Sequence, residues 1–146
     1  MKPHHADSVC NATAIRKAAR HMARFYDACL AEIGLGTTQY VTLVYLSQQG
    51  AASVNQLAEA MVMDRTTVAH SIKPLERDGL VVVKVNPSDR RERLITLTKS
   101  GAKRVEEGFP FWQKAQKSFE AKFGSEKALK LRQTMGDVVR TELVRG

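Results

Sequence analysis

The stretch SVNQLAEAMVMDRTTVAHSIKPLERDGLVVVKVNPSDRRERLITL, residues 53–97, decides the fold. Ser53 with Gln56 three residues on is a capping box, in which two side chains satisfy the free amides of a helix start. Val54, Leu57, Ala58 and Met61 then recur at helical spacing and give that first helix one apolar face. After a short turn, Val62 to Asp64, the Asp64 carboxylate suits the N-cap of a second helix. Val68, Ile72 and Leu75 form its inner stripe, while Arg65, Thr66, Thr67, His70 and Lys73 fall mostly on the other side. Gly79 ends it, as a residue tolerant of positive φ should. Leu80 to Val85 is rich in β-branched residues and reads as a strand, Asn86-Pro87-Ser88-Asp89 as a turn, and Arg93 to Leu97 as the returning strand. Pro74 departs from an ideal helix. It removes the bond to the His70 carbonyl, and a proline there would cost about 3 kcal/mol in an uninterrupted helix. A bend at Pro74 and local tolerance of it both fit the sequence.

Two short helices joined by a tight turn are the means by which helix-turn-helix proteins present a second helix to the DNA major groove. The polar face here has suitable chemistry. Arginine forks onto guanine, hydroxyls meet phosphates or bases, and the threonine methyl meets the thymine methyl. Arg65, Thr67 and His70 are expected nearest to bases or phosphates, and Lys73, further along, on a phosphate. The plainer alternative is a solvated helix face. Arg90, Arg91 and Arg93 lie toward the hairpin tip, where a narrow minor groove would attract arginine.

Outward from this stretch, a formal charge of +8 over 146 residues favours an anionic partner, nucleic acid or a membrane surface. The length suits one compact domain with a real core. No apolar run approaches the ~20 residues of a membrane span. Met1 to Asp7 lacks the apolar core of a signal peptide, so a cytoplasmic protein is expected. Two cysteines, Cys10 and Cys29, are too few for a disulfide scaffold. His4, His5, His21 and His70 do not sit at metal-ligand spacings, and neither a metal nor another cofactor is expected. No Gly-rich phosphate loop, nucleophile elbow or acid pair with an evident pocket points to an enzyme.

An amphipathic helix is predicted from Cys10 to Ile33. Its apolar stripe includes Ile15, Met22, Phe25, Tyr26 and Cys29, and Arg16, Lys17, Arg20 and Arg24 lie on its far face. Thr38 to Gln49 is nearly apolar all round, which belongs inside a protein. Thr98 caps a helix to about Phe123, in which Pro110 should produce a kink or a split. Ser125 begins the last helix, with Ala128, Leu131, Met135, Val138, Val139 and Leu143 on one side. The first helix and the last two carry more apolar surface than a small winged helix can cover alone.

Asp89-Arg90-Arg91, then Leu94-Ile95-Thr96-Leu97-Thr98 and Gly101, resembles the wing signature of the MarR family of winged-helix transcription regulators. Leu57-Ala58, Leu75-Glu76-Arg77-Asp78-Gly79-Leu80, and Gly34-Leu35 followed by Gln39-Tyr40 also match, so the similarity spans roughly residues 12–143. The resemblance implies that the terminal helices intertwine into a homodimer. A two-fold axis would set two reading helices one DNA turn apart, about 34 Å, over a pseudopalindrome in double-stranded DNA. It also implies that Asp89 orients Arg91 for the minor groove. Arg90 and Arg93 are expected on phosphates or in solvent.

Some members of that family sense peroxides through a cysteine near the start of the first helix. Aligned on Tyr26 and Gln39, that cysteine falls at Ala12, two residues past Cys10, and one partner tyrosine falls at Thr37. Others bind small aromatic acids between the dimer helices and the DNA-binding lobe. Arg16, Arg20, His21, Tyr40 and Trp112 are the candidates for such a place here, unless the arginines face solvent or DNA and the aromatics are core.

The expectation is thus a mainly α protein with a small β-hairpin wing. Residues 1–36 would form an N-terminal dimerisation helix, 37–98 the winged helix-turn-helix, and 99–146 the C-terminal dimerisation helices. The expected function is a homodimeric, sequence-specific repressor released by a small aromatic or anionic ligand. The rivals are a thiol-based redox regulator with Cys10 as its sensor, and an architectural DNA-binding protein with no effector.

Overall fold

A computed structural model of the chain describes residues 9–144; Met1 to Ser8, with His4 and His5, lie outside the described residues. The Cα framework divides after Trp112 into two compact units.

The first unit begins with helix α1, Asn11–Leu30, for which Cys10 is the N-cap: its sulfur accepts from the Thr13 amide at 3.4 Å. A 3-10 turn, Ala31–Ile33, ends on Gly34 at φ 71°, a left-handed conformation that glycine adopts without penalty. Asp27 Oδ1 accepts from both the amide (2.7 Å) and the hydroxyl (2.6 Å) of Thr37, tying the end of α1 to the start of α2, Thr37–Gln49. Helix α2 is less uniformly buried than its composition implied. Tyr40, Thr42, Leu43 and Leu46 are buried, but Val41 is exposed.

A short strand β1, Ala51–Ser53, leads into α3, Val54–Met61, and α4, Arg65–Arg77. The capping box at Ser53 is present, with the Ser53 amide donating to Gln56 Oε1 at 2.8 Å and the Gln56 amide donating to Ser53 Oγ at 3.1 Å. Helix α4 runs unbroken through Pro74. Strands β2, Val81–Asn86, and β3, Asp89–Leu97, complete a three-stranded antiparallel sheet in the order β1-β3-β2. This corrects the simple hairpin expected from the sequence. Ala51, Ala52 and Ser53 pair with Thr96, Ile95 and Leu94, and β3 begins at Asp89 instead of Arg93. Three residues are too short to show a periodicity, and the charged start of β3 hid its extended backbone.

The core lies where α2, α3, α4 and the sheet meet. Leu43, Leu46, Leu57, Leu75, Leu80 and Ile95 are essentially sealed from solvent. Each contributes about 1.5–3 kcal/mol by leaving water. Helix α5, Lys99–Phe123, starts at Thr98, whose hydroxyl accepts from the Gly101 amide at 3.0 Å and donates to the Gly79 carbonyl at 2.7 Å. It is not split at Pro110. The unpaired Glu106 carbonyl belongs to an exposed residue, so water can satisfy it.

In the second unit, α6 spans Ser125–Arg140. Phe119 stacks on Phe123 (4.9 Å between centroids), Lys127 Nζ lies 4.5 Å over the Phe123 ring, and Arg132 pairs with Glu120 at 3.2 Å. Among the described residues no helix is long and apolar enough to cross a membrane.

Candidate nucleic-acid interface

Helix α4 owes its position to both ends. At its start, Asp64 Oδ1 accepts from the Thr67 amide at 2.8 Å, and Asp64 Oδ2 from the Thr67 hydroxyl at 2.6 Å. The Thr67 hydroxyl bond, then its amide, holds the Asp64 carboxyl below its ordinary pKa of 3.8. Along the helix, Val68, Ile72 and Leu75 are buried, which fixes its rotation and turns the opposite face outward. At its end, Gly79 adopts φ 73° and the chain enters β2.

Between α4 and the wing lies a groove of about 710 Å³. Arg65, Thr66, His70 and Lys73 from the helix and Asp89 and Arg91 from the wing all line it. Residues 54–73 and 89–93 thus meet on one concave surface although the sequence separates them. Two members of the expected set fall outside the lining. Thr67 gives its hydroxyl hydrogen to Asp64, and Arg90 is exposed with its carbonyl accepting from Arg93 Nη1 at 3.3 Å. Sequence reasoning missed Val54, Asn55, Ala69 and Glu92, and Arg93 joins the groove instead of only crowning the tip. Asn55 sits one residue past Val54, in the first turn of the capped helix α3, a position readable from the capping box.

The groove is electrostatically lopsided. Arg65 and Lys73 make no ion pair within the chain, among the described residues. The two acids are engaged by the wing itself. Asp89 Oδ1 accepts from the Arg91 amide at 3.0 Å and lies 3.9 Å from Arg91 Nε, while Glu92 Oε2 accepts from Asn86 Nδ2 at 2.6 Å. The Arg91 side chain is 97% exposed even with Asp89 beside it. Such a surface accepts a polyanion of fixed shape: a helix with forked and hydroxyl donors on one wall, and an arginine-bearing strand on the other.

The remaining candidates do not converge. Arg16, Arg20 and His21 are exposed on α1. Tyr40 is buried in the core and donates its hydroxyl hydrogen to the Val105 carbonyl at 3.2 Å; burial raises its pKa above 10.0. Trp112 packs half-buried against the core and stacks on Phe109 with centroids 5.8 Å apart. Cys10, as the α1 N-cap, has a thiol pKa below 9.0, chiefly through its hydrogen bond with Thr13. Cys29 is half-buried on α1, not sealed in the core as its place on the apolar stripe suggested.

The MarR family profile matches residues 35–92, from the start of α2 to the wing. The HTH-type transcriptional repressor NicR of Pseudomonas putida is 37% identical over 90 residues, covering 60% of this chain and 56% of NicR. The chain spans about half the length of the curated relatives it matches first. Solved structures match more completely. That of Bordetella bronchiseptica BpsR, described with regulation of its DNA binding by 6-hydroxynicotinic acid, is 26% identical. It superposes with a TM-score of 0.84 over 97% of this chain and 100% of BpsR. The Mycobacterium tuberculosis regulator MosR, in complex with DNA, is 29% identical with a TM-score of 0.81 over 90% of this chain and 94% of MosR.

Proposed function

The chain belongs to the MarR family of transcriptional regulators, and on that premise we propose that it acts as a homodimeric repressor on a pseudopalindromic operator in double-stranded DNA. The observation that carries this reading is the groove joining Arg65, Thr66, His70 and Lys73 of α4 to Asp89 and Arg91 of the wing. Helix α4 enters the major groove, with Arg65, Thr66 and His70 toward base edges and Lys73 on a phosphate. Thr67 and Asp64 set the start of that helix. Arg91, steadied by Asp89, enters the flanking minor groove, and Arg90 meets the backbone. MosR, solved with DNA bound, supports the partner, and NicR, named a repressor, supports the sign.

Residues 37–98 form the DNA-reading portion, while 1–36 and 99–146 supply the dimer contacts. Ile15 on α1 and, separately, Leu131, Val138 and Val139 on α6 are exposed apolar side chains that a partner chain covers. DNA as partner implies a cytoplasmic location.

Release comes from a small aromatic or anionic ligand, the class to which the 6-hydroxynicotinic acid of BpsR belongs. Arg16, Arg20 and His21 offer the charge for it, whereas Tyr40 and Trp112 serve the core. The ligand must bind the DNA-free state better, and a preference of about 1.4 kcal/mol lowers DNA affinity tenfold. A thiol response is the second reading. It is favoured by the capping position and lowered pKa of Cys10, and it requires that Cys10→Ser abolish any effect of peroxide on DNA binding.

The deciding experiment is selection and sequencing of bound duplexes from a random pool at two salt concentrations. A pseudopalindrome with half-site centres about 10 bp apart supports the dimeric operator reading. Salt-sensitive binding with no enriched motif overturns it in favour of an architectural DNA-binding protein.

A further inference from the structure

We propose that Asn86 and Glu92 form a strut that positions the wing arginines, making Glu92 a determinant of the wing's sequence preference even though it is an acid in a basic groove. The proposal deepens the operator reading and rests on it. Its starting point is a break in the sheet. Val85 of β2 pairs with Arg93 of β3, yet the next β2 residue, Asn86, pairs with Asp89. Arg90, Arg91 and Glu92 therefore bulge from the ladder with no β2 residue opposite them, and no register fixes where their side chains point.

Within the bulge Arg93 Nη1 donates to the Arg90 carbonyl at 3.3 Å, but the bond that ties it to β2 comes from one amide side chain. Asn86 Nδ2 donates to Glu92 Oε2 at 2.6 Å, and Asn86 Oδ1 accepts from the Ser88 amide at 2.9 Å. Asn86 thus ties the turn to the foot of the bulge, while Asp89 Oδ1 accepts from the Arg91 amide at the other end. From Asn86 to Arg93 every residue is exposed except Asn86 and Glu92. Their bond is partly shielded from water, and a charged acceptor makes it shorter and stronger than a neutral pair would be.

This accounts for a carboxylate among Arg65, His70, Lys73 and Arg91 on a surface that receives phosphates. As a bare charge it opposes binding; as the acceptor that fixes the bulge it aims Arg91. The two roles separate by substitution. Glu92→Gln keeps a carbonyl acceptor for Asn86 Nδ2 and removes the charge. Glu92→Ala removes both, and Asn86→Ala removes the donor.

The test is random-duplex selection with the full chain and these three variants, beside Arg91→Ala, with amide hydrogen exchange of residues 90–93 measured on free protein. Glu92→Ala and Asn86→Ala are expected to lose preference at the operator flanks, as Arg91→Ala does. They should weaken binding to the best sequence about tenfold, the order of one charge-assisted hydrogen bond. Amide exchange in the bulge should quicken, while preference at the half-site centres is kept. Glu92→Gln should keep the flank preference and bind more tightly. If Glu92→Ala and Glu92→Gln both tighten binding and leave the flanks unchanged, Glu92 is only a repulsive charge and the strut is overturned. If the unmodified protein selects no motif at all, the operator reading falls, and the strut with it. Arg91→Ala distinguishes that case, because it then changes affinity uniformly.

Discussion

Gly108 of α5 lies against the ring of Tyr40, with no room for a side chain between them. A Cβ at 108 would collide with Tyr40 Cε2 and stand 2.6 Å from Ile33 Cδ1 and 2.9 Å from Tyr40 Cδ2. Gly101, two turns earlier on the same helix, is tighter still, since its Cβ would strike the Leu80 carbonyl oxygen and stand 2.7 Å from Leu97 Cδ1. The pair lets α5 lie close against the core that holds α4. Replacing a helical glycine by alanine gains about 1 kcal/mol of helix propensity, while overpacking costs about 1–3 kcal/mol. Gly108→Ala is expected to lower the thermal midpoint, and Gly101→Ala to lower it further, because backbone yields less than a ring. At Gly136 of α6 a Cβ meets only the mobile end of Arg140, at 3.1 Å. Gly136→Ala should therefore raise the midpoint by about 2–4 °C. Calorimetry of the three variants checks the order, and a rise for Gly101→Ala would contradict the packing.

The Asp64 carboxyl makes the start of α4 pH-dependent. Its pKa in the folded chain is depressed below the ordinary 3.8 by the Thr67 hydroxyl and amide. The native state thus binds the proton less readily than the unfolded chain. The stabilisation is fully present above 3.8 and is lost as pH falls through the lower folded value. Denaturant unfolding measured across that interval should steepen with acid in the unmodified protein. In Asp64→Asn the dependence should flatten, since the amide oxygen still caps but does not titrate. An identical pH profile for Asp64→Asn would show that other carboxylates dominate.

Signals that act within one turn were legible in the sequence. Ser53 with Gln56, Asp64, Gly79 and Thr98 each mark a boundary that the structure reproduces, because a cap and its amide are three residues apart. What escaped depends on distant residues. Strand β1 exists because Ala51 to Ser53 finds Leu94 to Thr96. Gly101 and Gly108 matter because of Leu80 and Tyr40. The Asn86–Glu92 bond depends on a bulge that composition cannot reveal. Pro110 read as a kink or a split, and the split does not occur, since the missing bond falls on the exposed side of α5. Most of the candidate groove was named from the face of α4 and the wing motif. The sequence placed Thr67, not Thr66, nearest to bases or phosphates with Arg65 and His70; the bond from the Thr67 hydroxyl to Asp64, which separates the two threonines, shows only in the structure.

That separation divides the roles of the two threonines and the wing. Thr66 lines the groove, so Thr66→Ala should change base preference at one half-site position, by the 1–3 kcal/mol typical of a lost specific contact. Thr67→Ala should weaken the helix start and reduce binding to all sequences alike. Arg91→Ala should weaken binding broadly with a bias at A/T flanks, and Lys73→Ala should reduce the salt slope by about 1. Binding titrations against a panel of single-base operator variants at several salt concentrations separate these outcomes. If all four variants act alike on every sequence, the division of roles fails.

The last prediction concerns the uncovered apolar face of α6. Leu131 is 37%, Val138 39% and Val139 62% exposed, and only Ala128 on that helix is buried. Apolar side chains at such spacing are costly to leave in water, and a second copy of the chain is the occupant proposed above. Leu131→Glu combined with Val138→Glu places charges in that contact. A buried unpaired carboxylate is far more costly than the contact it replaces. Sedimentation should show the unmodified protein at twice the chain mass and the double variant at the chain mass, with far-UV circular dichroism unchanged. DNA affinity should then fall steeply on a full operator but little on an isolated half-site, because the two-fold axis supplies the second half-site as an intramolecular event. A double variant that keeps the mass and affinity of the unmodified protein would place the dimer contact elsewhere than α6.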